Sequence, residues 1–542
     1  MAAALPLRQP ATAPTPRPRQ WPRFALVFAA IVAIISLLPY LLAYLWTRPG
    51  HHFAGFFFIA DDATTYLAKM RQGADGSWLW NDPYTSEPHG GVFLFSFYLL
   101  FGHLAALLHL PLIAAYHLAR ISGALALVIA ADQLCRRVLP RELRRLALVL
   151  VILGSGAGFL AQALGNPPIL GSRVEALDLH LPEISGWYSI LAIPHFAWAT
   201  ALIIAALLGL LRIAEAPAWR PVALTAAALL ALTAIHPQMI PVLGLIWIAY
   251  QAVLVAWGDR PTIRSVAFQA LPFLATIPLL AYNAWILFRD PTIAEWARQW
   301  RHQAPGPVSL AVSLGLPLLA AILGMVIAWR RGDRGPALLL IWPPLVIALL
   351  YLPNLANIQR RLLDALYVPV GILAAIGIKA LTSRLRRARA RRIEAILVTA
   401  CCISPALVLA IALRFASGAF AEAYIGGDAW NAMQWLSAHH QQSDRVLSSP
   451  GAGQLLPAWA GTQVYVGHYS ETLDYFQKIR NVGAVLKPGD PEATVRAFLH
   501  ENGITLLYWG PDEVLTGYRP NDQPFLQRVH QDGTVTIYRV QP

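Results

Sequence analysis

The sequence predicts an all-α membrane domain of about eleven transmembrane helices, followed by a small α/β domain outside the membrane. Three observations support this prediction. Hydrophobic residues make up 57% of the 542 residues and charged residues only 13%, with a mean hydropathy of +0.50, which excludes an ordinary soluble protein. Apolar runs of about 20 residues, the length that crosses a bilayer, recur along the chain. From about Ala421 onward the composition becomes that of a soluble domain.

The net charge of +13 reports membrane topology and not a nucleic-acid partner. The basic residues cluster in short loops between apolar runs, which is the positive-inside pattern. Four of them precede the first run: Arg8, Arg17, Arg19 and Arg23. We therefore expect residues 1–23 to form a disordered cytoplasmic tail, because this stretch is also rich in Pro and Ala. The loop 47–110 then lies outside.

The apolar segments alternate across the membrane from this starting point. The stretch 92–110 contains His103 and His109 and is expected to lie along the outer surface. The predicted spans are 24–46, 111–134, 146–164, 189–211, 221–235, 239–257, 266–288, 308–329, 336–351, 362–378 and 393–413. A membrane domain thus covers 24–415, and the protein is expected in the plasma (inner) membrane with its C-terminal domain, 420–542, on the extracytoplasmic side.

The C-terminal stretch alternates helical and extended patterns, which indicates a small α/β domain. The predicted helices are 430–439, 470–480 and 491–500, with Ser470 as the N-cap of the second. The predicted strands are 445–447, 463–466, 504–508 and 534–539, the last at an edge of the sheet. For the segment 467–472, which follows a strand, a folding role is favoured over substrate recognition.

Asp61 and Asp62 are the strongest candidates for a catalytic site. They end an apolar, aromatic run beside the first span. Two adjacent carboxylates at a membrane surface repel each other and lose solvation, so a purely structural role would be costly. The alternative is that Asp62 caps the short helix that residues 64–70 predict, which leaves Asp61 unexplained.

The order of motifs around this pair resembles the GT-C superfamily of membrane glycosyltransferases. The acidic pair follows the first span, and a juxtamembrane helix, a Gly-x-Trp to Tyr segment and a turn containing proline come next. In sequence these later motifs are Gly76-Ser77-Trp78, Pro83-Tyr84, Glu87-Pro88-His89-Gly90-Gly91 and Ala119-Arg120-Ile121. The likeness covers the first 140 residues best. Each motif is short, and their order is the stronger signal.

The resemblance, which includes protein mannosyltransferases and aminoarabinose transferases, implies an inverting transfer from a polyprenyl-phosphate-linked sugar at the outer membrane face. Such a reaction needs a carboxylate that accepts the acceptor's proton and positive charge near the departing phosphate. Asp61 is the expected general base, with Asp62 supporting it or binding a metal, although spacing alone does not decide between the two. Tyr66 and His89 in the same loop are assigned to substrate binding. The acceptor stays open.

A second acidic loop, between the third and fourth predicted spans, is a candidate to assist the first. By the same resemblance Asp178 or Glu183 supports Asp61, and together they could hold a divalent cation through oxygen ligands. The alternative is a hydrated loop with surface charge. The sequence assigns no metal ligand outright, so the need for a cofactor stays open.

Candidate phosphate ligands lie at the outer ends of later spans. Gln359, Arg360 and Arg361 precede one span on its outer side, where arginines run against the positive-inside rule. Guanidinium groups bind phosphate oxygens bidentately, and lipid headgroup anchoring is the alternative. His195 and His236 also fall at outer edges, either as hydrogen-bond partners of phosphate or sugar or as buried residues with internal partners.

Two other functions compete with a glycosyltransferase. A transporter or flippase of lipid-linked or glycan substrates predicts charged residues well inside the spans, whereas here they concentrate at the outer ends. A noncatalytic assembly or sensor protein leaves the acidic pair without a role.

Overall fold

The computed structural model describes residues 23–332, 335–352 and 358–541. The predicted cytoplasmic tail, except for Arg23, lies outside the described residues. Most of the described chain up to residue 419 is helical. The helices of this part are α1 (Arg23–Trp46), α2 (Ala60–Ala74), α3 (Ser96–Leu107), α4 (Leu112–Val138), α5 (Arg141–Leu153), α6 (Gly158–Ala163), α7 (Gly186–Leu191), α8 (Pro194–Glu215), α9 (Trp219–Ile235), α10 (Met239–Ala256), α11 (Ile263–Leu274), α12 (Ile277–Arg289), α13 (Pro291–Gln299), α14 (Pro307–Arg331), α15 (Ala337–Leu350), α16 (Tyr367–Thr382), α17 (Arg387–Cys401) and α18 (Ile403–Arg414).

Within the described residues, seven helical segments are long and apolar enough to cross a membrane, and a bent pair formed by α17 and α18 makes an eighth. Three further apolar helices of 10–17 residues, α9, α15 and α16, occupy positions of predicted spans. The protein is therefore a multi-pass membrane protein, and the count of eleven spans stays a prediction. Helix α3 has only 12 residues and is about 18 Å long, too short to cross a bilayer core of about 30 Å.

Helix α2, which carries the acidic pair, packs tightly against α3. A Cβ on Gly73 would lie 2.1 Å from the carbonyl oxygen of Leu99, and one on Gly102 would lie 2.0 Å from that of Met70. Only glycine permits this approach from both sides. The two surface helices consequently form one rigid pair beside the membrane domain.

Neither acid of the pair caps α2. The residue before the helix is Ile59, whose φ is 50° and whose side chain makes no capping bond. The alternative that Asp62 caps this helix is therefore wrong. Asp61 and Asp62 instead lie in the first turn, where the helix dipole stabilises negative charge.

The C-terminal part contains a five-stranded mixed sheet. The helices are α19 (Gly427–His439), α20 (Pro450–Trp459), α21 (Tyr475–Val485), α22 (Glu492–Glu501) and α23 (Pro511–Val514). Before and within this part the strands are β1 (His51–Phe53), β2 (Pro168–Ile169), β3 (Ser172–Arg173), β4 (Tyr424–Gly426), β5 (Arg445–Leu447), β6 (Gln463–Val464), β7 (Leu506–Trp509), β8 (Leu526–Asp532) and β9 (Val535–Val540). The sheet order is β6-β5-β7-β9-β8, with β9 antiparallel to both of its neighbours.

Two details of the predicted domain are wrong. The strand predicted at the sheet edge is β9, which lies between β7 and β8, because β8 forms a hairpin with it and takes the edge position. The helix predicted from Ser470 begins at Tyr475, so Ser470 lies in the loop before it. The polar sequence of β8 hid the extra strand, since it lacks a regular apolar alternation.

The C-terminal part docks on the segment 47–110, which follows α1. Strand β4 pairs antiparallel with β1, and the backbone N–H of Val464 donates to the carbonyl of Pro83 at 2.9 Å. Arg71 of α2 donates to the carbonyls of Ala458 and Trp459. These contacts hold the C-terminal part against residues of the predicted membrane domain. The domain boundaries themselves stay predictions.

Candidate active site

Asp62 is the acidic residue that faces into the protein. Its Oδ1 lies 3.2 Å from Nε2 of His468 in the C-terminal domain, and its side chain is 27% exposed. Burial would raise the pKa of Asp62, but the hydrogen bond and charge of His468, with the charges of Arg361 and Lys69, hold that pKa below its ordinary value. Asp62 is therefore a stable anion at the centre of a cationic cluster.

Asp61 faces outward from the same helical turn. It is exposed, and its backbone carbonyl accepts a hydrogen bond of 2.9 Å from Nε2 of Gln454. Among the described residues, no side chain forms a hydrogen bond or ion pair with its carboxylate. The two acids of the pair are thus distinguished by their surroundings, which the sequence did not reveal.

Glu183 and the two arginines meet at one point, although they were predicted on separate loops. Arg361 Nη1 donates to Glu183 Oε1 at 3.2 Å, and Arg360 Nε lies 3.5 Å from the same oxygen. Arg360 Nη2 also donates to Nδ1 of His302 at 3.0 Å. Burial and the charges of Arg361 and Arg360 lower the pKa of His302 to about 3, so this imidazole is neutral.

The two predicted membrane-edge histidines also lie together. Nδ1 of His195 is 2.6 Å from the hydroxyl oxygen of Tyr98, whose ring stacks on that of Tyr66 with 4.2 Å between centroids. The ring of His236 lies edge-on to that of His195 at 5.1 Å, and its Nδ1 is 2.5 Å from Oδ2 of Asp364. Tyr66, His195 and His236 therefore form one polar surface.

A cavity of about 350 Å³ opens beside these groups, and we call it the inner cavity. Its polar end is formed by Tyr66, His195, His236, His302 and Arg361. Most of the remaining wall is apolar and aromatic, from residues 93–98 and helices α12 and α13. A hollow of this kind suits an amphiphile with an anionic head group, because a guanidinium binds the head and the apolar wall accepts a tail.

Lys69 is a second buried cation close to Asp62. Its Nζ lies 2.8 Å from Oε1 of Glu471, with the two side chains 2% and 1% exposed. The ammonium also lies 4.3 Å from the ring centroid of Phe95, and Trp296 Nε1 donates to the other oxygen of Glu471 at 2.7 Å. Burial and the charge of Glu471 raise the pKa of neighbouring Asp82 well above its ordinary value, and Glu471 is the carboxylate that pairs with Lys69.

Two predicted site residues, His89 and Asp178, lie apart from this cluster. His89 braces a turn, where its Nε2 accepts the N–H of Asp82 at 2.8 Å. Asp178 accepts the hydroxyl of Ser155 at 3.1 Å. Gln359 belongs to the same helical turn as the arginines, but its Oε1 is buried without a hydrogen-bond partner among the described residues.

Among the described residues, the oxygen ligands considered for a divalent cation do not form a cluster. The described part of the chain contains no group of three or more His, Cys, Asp or Glu side chains that could hold a metal ion. Glu183 is occupied by two arginines and Asp178 by a serine hydroxyl. The oxygen ligands suggested by the sequence therefore do not converge on Asp61.

Sequence reasoning did not assign His468, Lys69, Glu471 or His302 to the site. His468 and Glu471 lie about 400 positions from their partners, Asp62 and Lys69 respectively, and a single sequence gives no signal at that separation. The one available sign was the segment 467–472, which carries a histidine and a glutamate directly after a strand.

The fold is similar to those of several solved structures. One similar solved structure is ArnT from Cupriavidus metallidurans bound to undecaprenyl phosphate, with a TM-score of 0.54 at 12% identity over 95% of this chain and 98% of that one. Another is the oligosaccharyltransferase AglB from Archaeoglobus fulgidus in complex with an inhibitory peptide and a dolichol-phosphate, with a TM-score of 0.52 at 12% identity over 90% and 69% of the two chains. No protein-family model and no curated protein matches the sequence.

Proposed function

We propose that this protein is an inverting glycosyltransferase that moves a sugar from a polyprenyl-phosphate donor to an acceptor at the outer membrane face. The observation that carries the proposal is the acidic pair in the first turn of α2, where Asp62 meets a cation-rich cluster that includes Arg361 of the inner cavity and the neighbouring Asp61 is exposed. Acidic and cationic groups of this kind are what a glycosyl transfer from a lipid phosphate requires.

The inner cavity is the proposed donor site. Arg361 lies at its polar end and is fixed by Glu183, so its guanidinium is held in place before the donor arrives. The solved structures of ArnT and AglB contain undecaprenyl phosphate and dolichol-phosphate respectively, which supports a lipid phosphate as the ligand. Preorganised positive charge stabilises the leaving phosphate in the transition state.

Asp61 is the proposed general base. A hydroxyl or amine of the acceptor gives its proton to the Asp61 carboxylate while its heavy atom forms a bond to the anomeric carbon. The bond from that carbon to the phosphate oxygen breaks, and the electron pair leaves with the phosphate beside Arg361. Asp62, held by His468, keeps the cluster oriented, and the single displacement inverts the anomeric configuration.

Cationic side chains supply the positive charge beside Asp62. A structure of the A. fulgidus oligosaccharyltransferase was obtained in complex with Zn and sulfate, with a TM-score of 0.53 at 13% identity. In this chain the side chains close to Asp62 are instead cations and a histidine. Lys69 and Arg361 supply the positive charge that the reaction needs.

A flippase is the competing proposal and needs a charged path through the spans. Arg120 of α4 is fully buried, but it donates to the carbonyls of Ile190 and Leu191 and its guanidinium lies 4.3 Å from the ring centroid of Tyr40. This arginine has a local structural role, so it does not favour transport.

Replacement of Asp61 tests the proposal. Full-length protein in nanodiscs is mixed with radiolabelled polyprenyl-phosphate sugars and with membranes from a strain that lacks the protein, and release of polyprenyl phosphate is measured. We expect Asp61→Asn to lower the rate by about 100-fold or more, because a general base contributes that much. Asp75→Asn, an exposed acid at the other end of α2, is the matched control. Full activity in both Asp61→Asn and Asp62→Asn would refute the catalytic assignment.

A further inference from the structure

A second hollow lies on the outer surface next to the acidic pair, and we call it the outer groove. Its volume is about 390 Å³, and its wall includes Gln299, Tyr469, Asp474, Phe476 and Arg480. Tyr469 and Phe476 are 61% and 71% exposed. Two bare aromatic rings beside an amide, a carboxylate and a guanidinium form a surface that neither the fold nor the proposed donor site explains.

The outer groove is connected through single side-chain contacts to the inner cavity and to the partner of Asp62. Trp300 lines the inner cavity, and its Nε1 donates at 3.1 Å to the carbonyl of Ser470, which lines the outer groove. The ring of Tyr469 stacks at 4.9 Å on that of His468, the partner of Asp62. One tryptophan and one histidine therefore separate the groove from the donor site and from the acids.

Electrostatic coupling shows the same proximity. Burial raises the pKa of Tyr469, and the charges of Asp62 and Asp61 add to that increase while Arg360 opposes it. Burial and the charge of Asp61 raise the pKa of Tyr475, another residue of the groove wall. Asp62 in turn acts on Tyr66 in the inner cavity. The charges of the acidic pair therefore act on residues that line both hollows.

The backbone at the groove is held in an unfavourable conformation. Asp474 has a φ of 52°, in the left-handed region that non-glycine residues seldom adopt, and its N–H donates to Oε1 of Gln299 at 3.1 Å. Its carboxylate is exposed at the groove. Backbone conformations of this kind collect at ligand sites.

The chemistry of the groove selects among ligands. Aromatic faces attract the slightly positive C–H groups of a sugar ring, and planar amide, carboxylate and guanidinium groups bind neighbouring hydroxyls. The opposite charges of Asp474 and Arg480 do not favour a phosphate. None of the five wall residues named above lies in a strand, so the groove offers no sheet edge to an extended peptide.

We propose that the outer groove binds a sugar ring of the acceptor, so that the enzyme extends a glycan or a glycolipid head group. This proposal rests on the glycosyltransferase function above and names its acceptor class. The bound ring presents a hydroxyl to Asp61 from the groove, while the donor sugar approaches from the inner cavity.

Binding without donor tests the proposal independently of catalysis. Full-length protein in nanodiscs is mixed with a panel of methyl hexosides, and saturation-transfer NMR measures their contact with the protein. We expect saturable binding of at least one hexoside, weakened about tenfold by Tyr469→Ala or Phe476→Ala because each removes a stacking face. Leu515→Ala, which truncates an exposed apolar side chain of the same domain, is the control and should bind like the wild type.

A second arm identifies the source of the sugar. Nanodiscs that contain a hexosyl glycolipid are compared with lipid-only nanodiscs, and binding that requires the glycolipid assigns the ligand to a lipid head group. The proposal is overturned if no hexoside or glycolipid binds, if both aromatic variants bind like the wild type, or if only a peptide competes for the groove. The two proposals can fail separately. If Asp61→Asn leaves the transfer rate unchanged while hexoside binding still depends on Phe476, the catalytic assignment is removed and the groove remains a sugar site.

Discussion

Nε2 of His468 lies 3.2 Å from Oδ1 of Asp62. This contact joins the C-terminal part to the first turn of α2, the helix that carries the acidic pair. Lys69 and Glu471 form a second contact between the same two segments, at 2.8 Å. His468 and Glu471 are both buried in these contacts. The C-terminal part therefore contributes side chains to the candidate active site and does not only cover it.

The pH dependence of transfer should report the role of His468. In the native protein the pKa of Asp62 is depressed, so this acid stays ionised at pH values somewhat below its ordinary pKa of about 3.9. The stabilisation from this group is therefore present above the unfolded pKa and lost as the pH falls through the lower, folded value. We expect His468→Ala to shift the acid limb of the rate profile to higher pH, since burial of Asp62 then acts with less compensation. An unchanged acid limb, with His500→Ala as the exposed control, would contradict this role.

Arg361 should matter for the chemical step. Arg361→Gln removes the guanidinium at the head of the inner cavity, and we expect the turnover rate to fall by about 100-fold, as when one preorganised donor is lost from a transition state. Steady-state kinetics on lipid-linked sugar measures the effect. Arg298→Gln, on the same outer surface and 71% exposed at its side chain, should change the rate little. A pure increase in KM would assign Arg361 to donor binding alone.

The buried ion pair of Lys69 and Glu471 should contribute strongly to the docking of the C-terminal part. Lys69→Met leaves Glu471 charged and unpaired, which we expect to destabilise the protein by about 3–5 kcal/mol. The matched control is Lys379→Met, because Lys379 pairs with Glu394 at the same 2.8 Å but is 48% exposed, and such pairs contribute under about 1 kcal/mol. Denaturant unfolding of the full-length protein in detergent measures both. Equal effects of the two variants would show that Lys69 does not hold the domain.

The close contact of α2 and α3 should position the acids. A methyl group on Gly102 would overlap the carbonyl of Met70, so we expect Gly102→Ala to cost about 1–3 kcal/mol of stability and to lower transfer. Gly90→Ala adds a methyl group where no atom lies within 4 Å and is the control. Thermal unfolding and the transfer assay are measured on the same samples, and wild-type values for Gly102→Ala would exclude a positioning role.

Local sequence patterns predicted much of the architecture. Arginine clusters and apolar runs indicated where the membrane helices lie, since hydropathy and charge act over about 20 neighbouring residues. The strand at Arg445–Leu447 was predicted with its observed bounds. The prediction that β9 lies at the edge of the sheet was wrong, because strand order depends on pairing between distant segments.

The acidic pair, the arginines and the two membrane-edge histidines were visible in the sequence because charged and polar groups beside a bilayer are costly. Their arrangement was not visible. Tertiary structure alone decides that Asp62 faces His468 while Asp61 stays open, that Glu183 fixes Arg361, and that His89 and Asp178 lie elsewhere. The physical reason is that composition and hydropathy are summed along the chain, whereas a hydrogen bond or ion pair depends on distances of about 3 Å between residues hundreds of positions apart.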